Sequence, residues 1–380
     1  LVLRRLGAAV SQRVVGAVGL RPFTRELYHV FIDGWGASFQ DVDSTLRQIR
    51  QLGDTPWAQA WERTAERYLD LARSLETQGR YDSAAALYKR ASLLFRIGDI
   101  AISADTPVKR ALYARCADAY AHYAELSAPQ IERLQVGGIG SPVVGYLHRP
   151  NRPGNVPCVV IVPGLASAKE QPDFQPEALV ARGLAAFAMD LPGHGEAFTG
   201  SRLHFASYHA VSDAIDILSR QPGIDPARIA VLGTSLGGTV ALKAASEDAR
   251  IAAVVSISGF YEPCHWFEAS ARFVEAALKY ATGIEGTLEV RDLVQQFTLR
   301  GSIARIACPM LVIHGDADII IPVNEARQIH AEATGQHMLV TYPGGDHGLL
   351  NSPGATYDVL DWIVRQLSAE RVDRLSTIAG

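Results

Sequence analysis

Cysteine is scarce in this chain. Four occur in 380 residues (Cys116, Cys158, Cys264 and Cys308), far apart and with no CxxC pair. That spacing excludes a zinc-finger ligand set and a disulfide framework, and it fits the reduced thiols of a cytoplasmic protein. An excess of one charge is also missing. The 36 Lys and Arg residues meet 40 Asp and Glu residues, a net charge of −4, and no polybasic run stands out. The balance gives no electrostatic basis for a nucleic-acid partner or an anionic membrane surface. No apolar stretch approaches the ~18–20 residues that a membrane span needs. The N-terminal stretch LVLRRLGAAVSQRVVGAVGL is interrupted by Arg4, Arg5 and Arg13. It lacks the unbroken apolar region of a secretory signal and reads as an amphipathic arm or a frayed terminus. The glycine-rich stretch GTSLGG fits neither the G-x-x-x-x-G-K-[ST] nor the G-x-G-x-x-G phosphate pattern.

What is present falls into two textures. Hydrophobic residues make up 48% of the chain, enough for a sizeable core, and 380 residues suit a large domain with a smaller one. From about 24 to 128 the pattern is helical. Thr55-Pro56 and Thr106-Pro107 each read as an N-cap followed by proline at the first helical position. Gly79 punctuates, and a second helix is expected to end near Gly98. The pair around Gly79 resembles one tetratricopeptide repeat. A solenoid needs about three or more such units to bury a continuous core, so a helical cap on a larger domain is the expectation.

From about 130 onward, Val- and Ile-rich runs alternate with helical stretches near 173–182, 208–220, 236–247, 323–334 and 354–368. The runs CVVIVPG, LAAFAMDLPG, RIAVLG, IAAVVSISG, PMLVIHG and HMLVTYPGG are continuously apolar, as parallel strands covered on both faces must be. Strand–helix alternation implies a doubly wound α/β sheet. Ligands bind such sheets outside the carboxyl ends of the strands, and each run ends there in a Gly- or Pro-containing loop.

Those loops carry the chemistry. Gly233-Thr-Ser235-Leu-Gly237 fits G-x-S-x-G between an expected strand and an expected helix, the setting of a nucleophile elbow. Glycine at 233 and 237 allows close backbone passage, and the helix dipole favours an oxyanion at its start. LVIHGDADIIIP puts Asp316 and Asp318 after one strand, and YPGGDHGLL puts His347 after the next. Ser, Asp, His is the α/β-hydrolase order along the chain. In this reading His347 takes the proton of Ser235, and Asp318 fixes the imidazole tautomer. Asp316 reads as a loop cap and His314 as a packed or supporting residue. The N–H groups of Leu236 and, from VIVPGLASAKE, of Leu165 are the expected oxyanion donors.

PGLASAKE, MDLPGHGE, VLGTSLGGTVALKAA and GGDH together resemble the α/β-hydrolases with an N-terminal helical cap domain. That group includes 2,6-dihydroxypseudooxynicotine hydrolase, a carbon–carbon bond hydrolase, and the FrsA-like esterases. The resemblance covers nearly the whole chain. It implies residues 1–128 as the helical cap and 129–380 as the catalytic domain, with 261–301 as a pocket insertion. It also implies an enzyme without cofactor or metal, a site between cap and sheet, and Ser235, Asp318 and His347 as the triad. A homodimer joined through the cap is in keeping with it.

The expected function is hydrolysis of an ester, or of a C–C bond beside a ketone, in a small, bulky or aromatic metabolite. The alternative is a biosynthetic enzyme on the same scaffold that eliminates or transfers an acyl group. A binding protein on an inactive scaffold is opposed by the intact Ser, Asp and His. Substrate contacts are expected from His265 and Trp266, with Tyr261, Glu262 and Phe267 nearby. Lys169 and Glu170 are expected to hold the oxyanion loop as an ion pair, while Glu196 lies near the mouth.

Overall fold

The computed structural model describes residues 28–102, 104–128, 130–137, 142–172, 174–263 and 271–368. The N-terminal arm read from the sequence and Cys264 lie outside the described residues. Contacts divide the chain into two compact units, with the division between Arg133 and Leu134.

The first unit is helical. A π-helical turn, His29–Gly34, precedes α1 (Phe39–Gln48), α2 (Asp54–Thr77), α3 (Tyr81–Ile100) and α4 (Pro107–Leu126). Thr106 caps α4 as its sequence implies, its side chain accepting the Lys109 N–H at 3.2 Å, with Pro107 next in the chain. Thr55 does not cap α2. That helix already includes Asp54, and the cap position falls on Gly53, which takes φ +143°. Gly79 ends α2 in the left-handed region, at φ +74°. Gly98, expected as a stop, lies inside α3. A Cβ there would come 3.2 Å from Trp61 Cβ and 3.4 Å from Leu112 Cδ1, so its role is close helix approach rather than termination. The core gathers Trp57, Trp61, Tyr88, Phe95 and Leu112. Thr106→Ala is expected to lower stability by about 1 kcal/mol, the usual worth of an N-cap, as a lower urea midpoint at unchanged m-value.

The second unit is built on an eight-stranded sheet, ordered β1-β2-β4-β3-β5-β6-β7-β8, whose first strand begins just before the division. The strands are β1 (Ile131–Gly137), β2 (Pro142–His148), β3 (Val156–Val162), β4 (Ala185–Met189), β5 (Ile224–Thr234), β6 (Ala253–Ile257), β7 (Met310–Gly315) and β8 (His337–Tyr342). The six apolar runs of the sequence are β3 to β8, and they pair with one another in parallel. β1 and β2 have no counterpart in the sequence reading, because IERLQVG and PVVGYLH mix polar with apolar positions. β2 lies antiparallel to β4.

Alternate residues feed opposite cores. Val160, Val162, Val231, Val254 and Val312 face one layer, with α6 (His209–Leu218) and α7 (Leu236–Glu247) packed on it. Val159, Ile161, Leu232, Val255 and Ile313 face the other, with α5 (Pro176–Val180) and α11 (Pro353–Leu367). Helices α8 (Ala271–Thr282), α9 (Thr287–Gln295) and α10 (Val323–Glu332) complete the described set. This is the doubly wound architecture that the alternation implies. α5 is shorter than the expected 173–182. β3 has β4 on one side and β5 on the other, so the winding direction reverses there, and the carboxyl ends of β3 and β5 form the switch point at which open α/β sheets bind ligands. No described helix is long and apolar enough to cross a membrane.

Candidate active site

Ser235 alone makes the turn from β5 into α7, at φ +58° and ψ −122°. A non-glycine residue in that region costs about 1–3 kcal/mol and persists only where its surroundings impose it. Here the Ser235 N–H donates to Ile257 O at 2.8 Å, and Ser235 O accepts from the N–H groups of Gly238 (3.0 Å) and Thr239 (3.2 Å). The glycines of the motif have separate steric reasons. A Cβ on Gly233 would lie 2.1 Å from Gly237 O, and one on Gly237 would lie 2.3 Å from Val162 O and 2.6 Å from Pro163 O. The turn is thus compressed against itself and against the end of β3.

That compression brings the loop after β3 beside the elbow. Leu165 follows Pro163 by two residues, in a turn where the Ser167 N–H donates to Gly164 O at 3.1 Å. Among the described residues, no acceptor meets the Leu165 N–H. Leu236 opens α7, so its N–H has no carbonyl a turn behind it. Both expected donors therefore sit on segments in contact with each other, at the positive end of a helix dipole.

Asp318 and His347 meet. His347 Nδ1 lies 2.8 Å from Asp318 Oδ2. The other carboxylate oxygen, Oδ1, accepts the N–H groups of Ile320 (2.8 Å) and Ile321 (2.9 Å). His314 is fully buried, as expected of a packed residue. Its Nε2 lies 2.8 Å from Ile321 O and 3.4 Å from Asp318 Oδ2. Burial works to raise the Asp318 carboxyl, but the bonds from His314, His347 and the backbone outweigh it and hold the group well below the usual carboxylate range. Asp318 thus stays ionised below the pH at which an ordinary Asp is half protonated. Its contribution to stability is present above the ordinary Asp value near ~4 and is lost only as pH falls through the depressed native value.

The histidine loop is tied to its neighbours. Gly348 N–H donates to Ser258 Oγ at 3.1 Å, beyond β6. A Cβ on Gly348 would lie 3.7 Å from Thr234 Cγ2, the residue before Ser235. Asp316 does more than cap its own loop. Its Oδ1 accepts the Gly344 N–H at 2.6 Å, and the Ala317 N–H donates to Gly345 O at 3.0 Å, so the acid and histidine loops are joined across the strand edge.

Lys169 and Glu170 do form an ion pair, and Lys169 is fully buried. Lys169 Nζ also lies 3.1 Å from Asp190 Oδ2 and 3.5 Å from Glu196 Oε1. Burial opposes the ammonium, yet Asp190, Glu170 and Glu196 together hold it above its ordinary range. Burial pushes the carboxyls of Glu170 and Asp190 up, with Lys169 pulling the other way. The sequence reading missed Asp190 here. The available signal was its place directly after an apolar strand, in MDLPGHGE.

His265, Trp266 and Phe267 lie outside the described residues. Tyr261 is buried, with its hydroxyl on Glu332 Oε2 at 2.5 Å, and burial followed by that bond pushes it up to about 12. The Glu262 carboxylate pairs with Arg300 at 2.7 Å. The N–H groups of Tyr261 and Glu262 both donate to Glu325 Oε2, at 2.9 and 2.8 Å, an anchor the sequence did not suggest.

A parallel sheet wound on both faces, with a serine elbow after β5 and acid and histidine loops after β7 and β8, defines the α/β-hydrolase class of enzymes, and this chain is one of them. The prolyl oligopeptidase family model matches residues 172–370, and the chain belongs to that family. It is 29% identical over 338 residues to 2,6-dihydropseudooxynicotine hydrolase of Paenarthrobacter nicotinovorans, which spans 88% of this chain and 90% of the relative. Hydrolase LUC6 of a Fusarium species is 28% identical over 74% of this chain and 78% of its own. The crystal structure of the 2,6-dihydroxy-pseudo-oxynicotine hydrolase superposes with a TM-score of 0.82 at 27% identity, covering 90% of this chain and 96% of that one.

Proposed function

We propose that the chain is a serine hydrolase that cleaves an ester, or a C–C bond beside a ketone, in a small, bulky or aromatic metabolite. The observation that carries this reading is the 2.8 Å contact of His347 Nδ1 with the ionised Asp318, on a loop whose next residue lies against Thr234. With Nδ1 donating to Asp318, the proton-free Nε2 is left to accept the Ser235 proton. The alkoxide attacks the substrate carbonyl, and the N–H groups of Leu165 and Leu236 receive the oxyanion. His347 then returns the proton to the leaving alcohol or carbanion, and water releases the acyl group by the same steps in reverse roles.

The substrate class draws on the relatives, which are hydrolases named for 2,6-dihydropseudooxynicotine and, in Gibberella moniliformis, for 20-hydroxy-prefusarin. A panel of small esters and β-diketones, run in ¹⁸O-labelled water, tests the reading. Hydrolysis is expected to place one label in the carboxylate product. Release of an unlabelled intact carboxylate would overturn hydrolysis in favour of acyl elimination.

A further inference from the structure

The loop carrying Leu165 has a second attachment, away from the elbow. At its near end, Pro163 is pressed on the Gly237 backbone. At its far end the Lys169 N–H donates to Asp190 Oδ1 at 2.9 Å. The other oxygen of that carboxylate, Oδ2, takes the Glu196 N–H at 3.0 Å and Lys169 Nζ at 3.1 Å. One buried carboxylate therefore holds the backbone of two loops, after β3 and after β4, and the lysine between them. The chain has cleared room for it. Gly195 sits at φ +49°, and a Cβ there would lie 2.3 Å from both Asp190 oxygens. The lysine stem is confined too, with Nζ 5.7 Å from the centre of the Tyr146 ring.

We propose that Asp190 is a positioning residue for the oxyanion hole: by clamping the Lys169 and Glu196 backbone it holds the intervening loop so that the Leu165 N–H faces the carbonyl attacked by Ser235. A loop pinned at 163 and at 169 has few backbone torsions left between its anchors. Its donor is therefore set in place before substrate arrives, which is the condition under which oxyanion stabilisation is strongest. Releasing the far anchor leaves the Asp318–His347 pair intact and moves only the donor. A donor misplaced by about 1 Å costs on the order of 10²-fold in rate.

This inference rests on Ser235 as nucleophile, and the experiment separates the two. A fluorophosphonate probe reacts through a charged phosphoryl oxygen and so requires both the nucleophile and the hole. Labelling of the full chain is followed to completion across pH for the parent and for Asp190→Asn. The variant is expected to label to the same end point per chain, about 10²-fold more slowly, with the midpoint of the acid limb unmoved. A rate per labelled site within threefold of the parent, even with a reduced end point, would make Asp190 merely structural and overturn the proposal. If Asp190→Asn does not fold, Gly195→Ala takes its place, because its methyl displaces the carboxylate and removes no charge. It is expected to slow labelling likewise, and a folded Gly195→Ala that labels at the parental rate overturns the proposal. A folded parent that takes no label overturns the nucleophile reading itself, and the clamp with it.

Discussion

Ser235→Ala is expected to lower turnover by about 10⁴–10⁶-fold on whatever ester or ketone the parent hydrolyses, with the fold retained. The size follows from what is removed. His347 has no proton to take, and the oxyanion donors have no tetrahedral intermediate to hold. What remains is slow attack by water in a site still able to bind. KM is expected to stay within a few-fold, since the hydroxyl contributes little to ground-state binding. Alanine also relaxes nothing in the turn, because the φ of +58° is imposed by the surrounding hydrogen bonds. Steady-state kinetics with parallel fluorophosphonate labelling checks the result. A variant that keeps more than a hundredth of the parental rate would exclude Ser235 as nucleophile.

Asp318→Asn is expected to cost about 10⁴-fold in kcat at neutral pH. The asparagine can occupy the same space and keep the Ile320 and Ile321 N–H groups on its oxygen. It then presents NH₂ toward His347 Nδ1, where the structure has a carboxylate at 2.8 Å. The imidazole must turn its lone pair to that amide, which puts the proton on Nε2, facing Ser235. The loss is therefore one of tautomer more than of charge. The native carboxyl lies well below the usual range, so its charge is present at neutral pH. Recovery of activity at high pH, where the variant imidazole meets more hydroxide, distinguishes a tautomer defect from a collapsed site, which would not recover.

The legibility of this chain followed the density of local signals. Six strands were visible because each is an uninterrupted apolar run, and the elbow was visible because G-x-S-x-G fell between a run and an alanine-rich helix. β1 and β2 were missed because they mix polar and apolar positions. Thr106 announced its helix, while the same Thr-Pro pair at Thr55 sat two residues too late, since Gly53 had already set the entry. Gly98 shows the same limit. Its meaning lies in Trp61 and Leu112, which are neighbours only after folding. The site divides in the same way. Ser235, Asp318 and His347 could be named from chain order, and their strand-end positions brought two of them into direct contact. The clamp at Asp190, the bridge from Asp316 to Gly344 and the anchor at Glu325 are contacts between loops distant in sequence, and no local pattern encodes them.

The bridge between the acid and histidine loops divides the labour of change. Asp316 and Ala317 lock those loops to each other, so Asp318 and His347 are carried on one joined unit. The segment leaving β6 is tied on two sides, through Tyr261 and Glu262 to Glu325 and through Ser258 to the Gly348 N–H. A change at Ser258 would therefore be felt in the histidine loop, while one at Glu325 acts on the segment leaving β6. Changes that loosen Asp316 would leave the acid loop and the histidine loop free to drift apart.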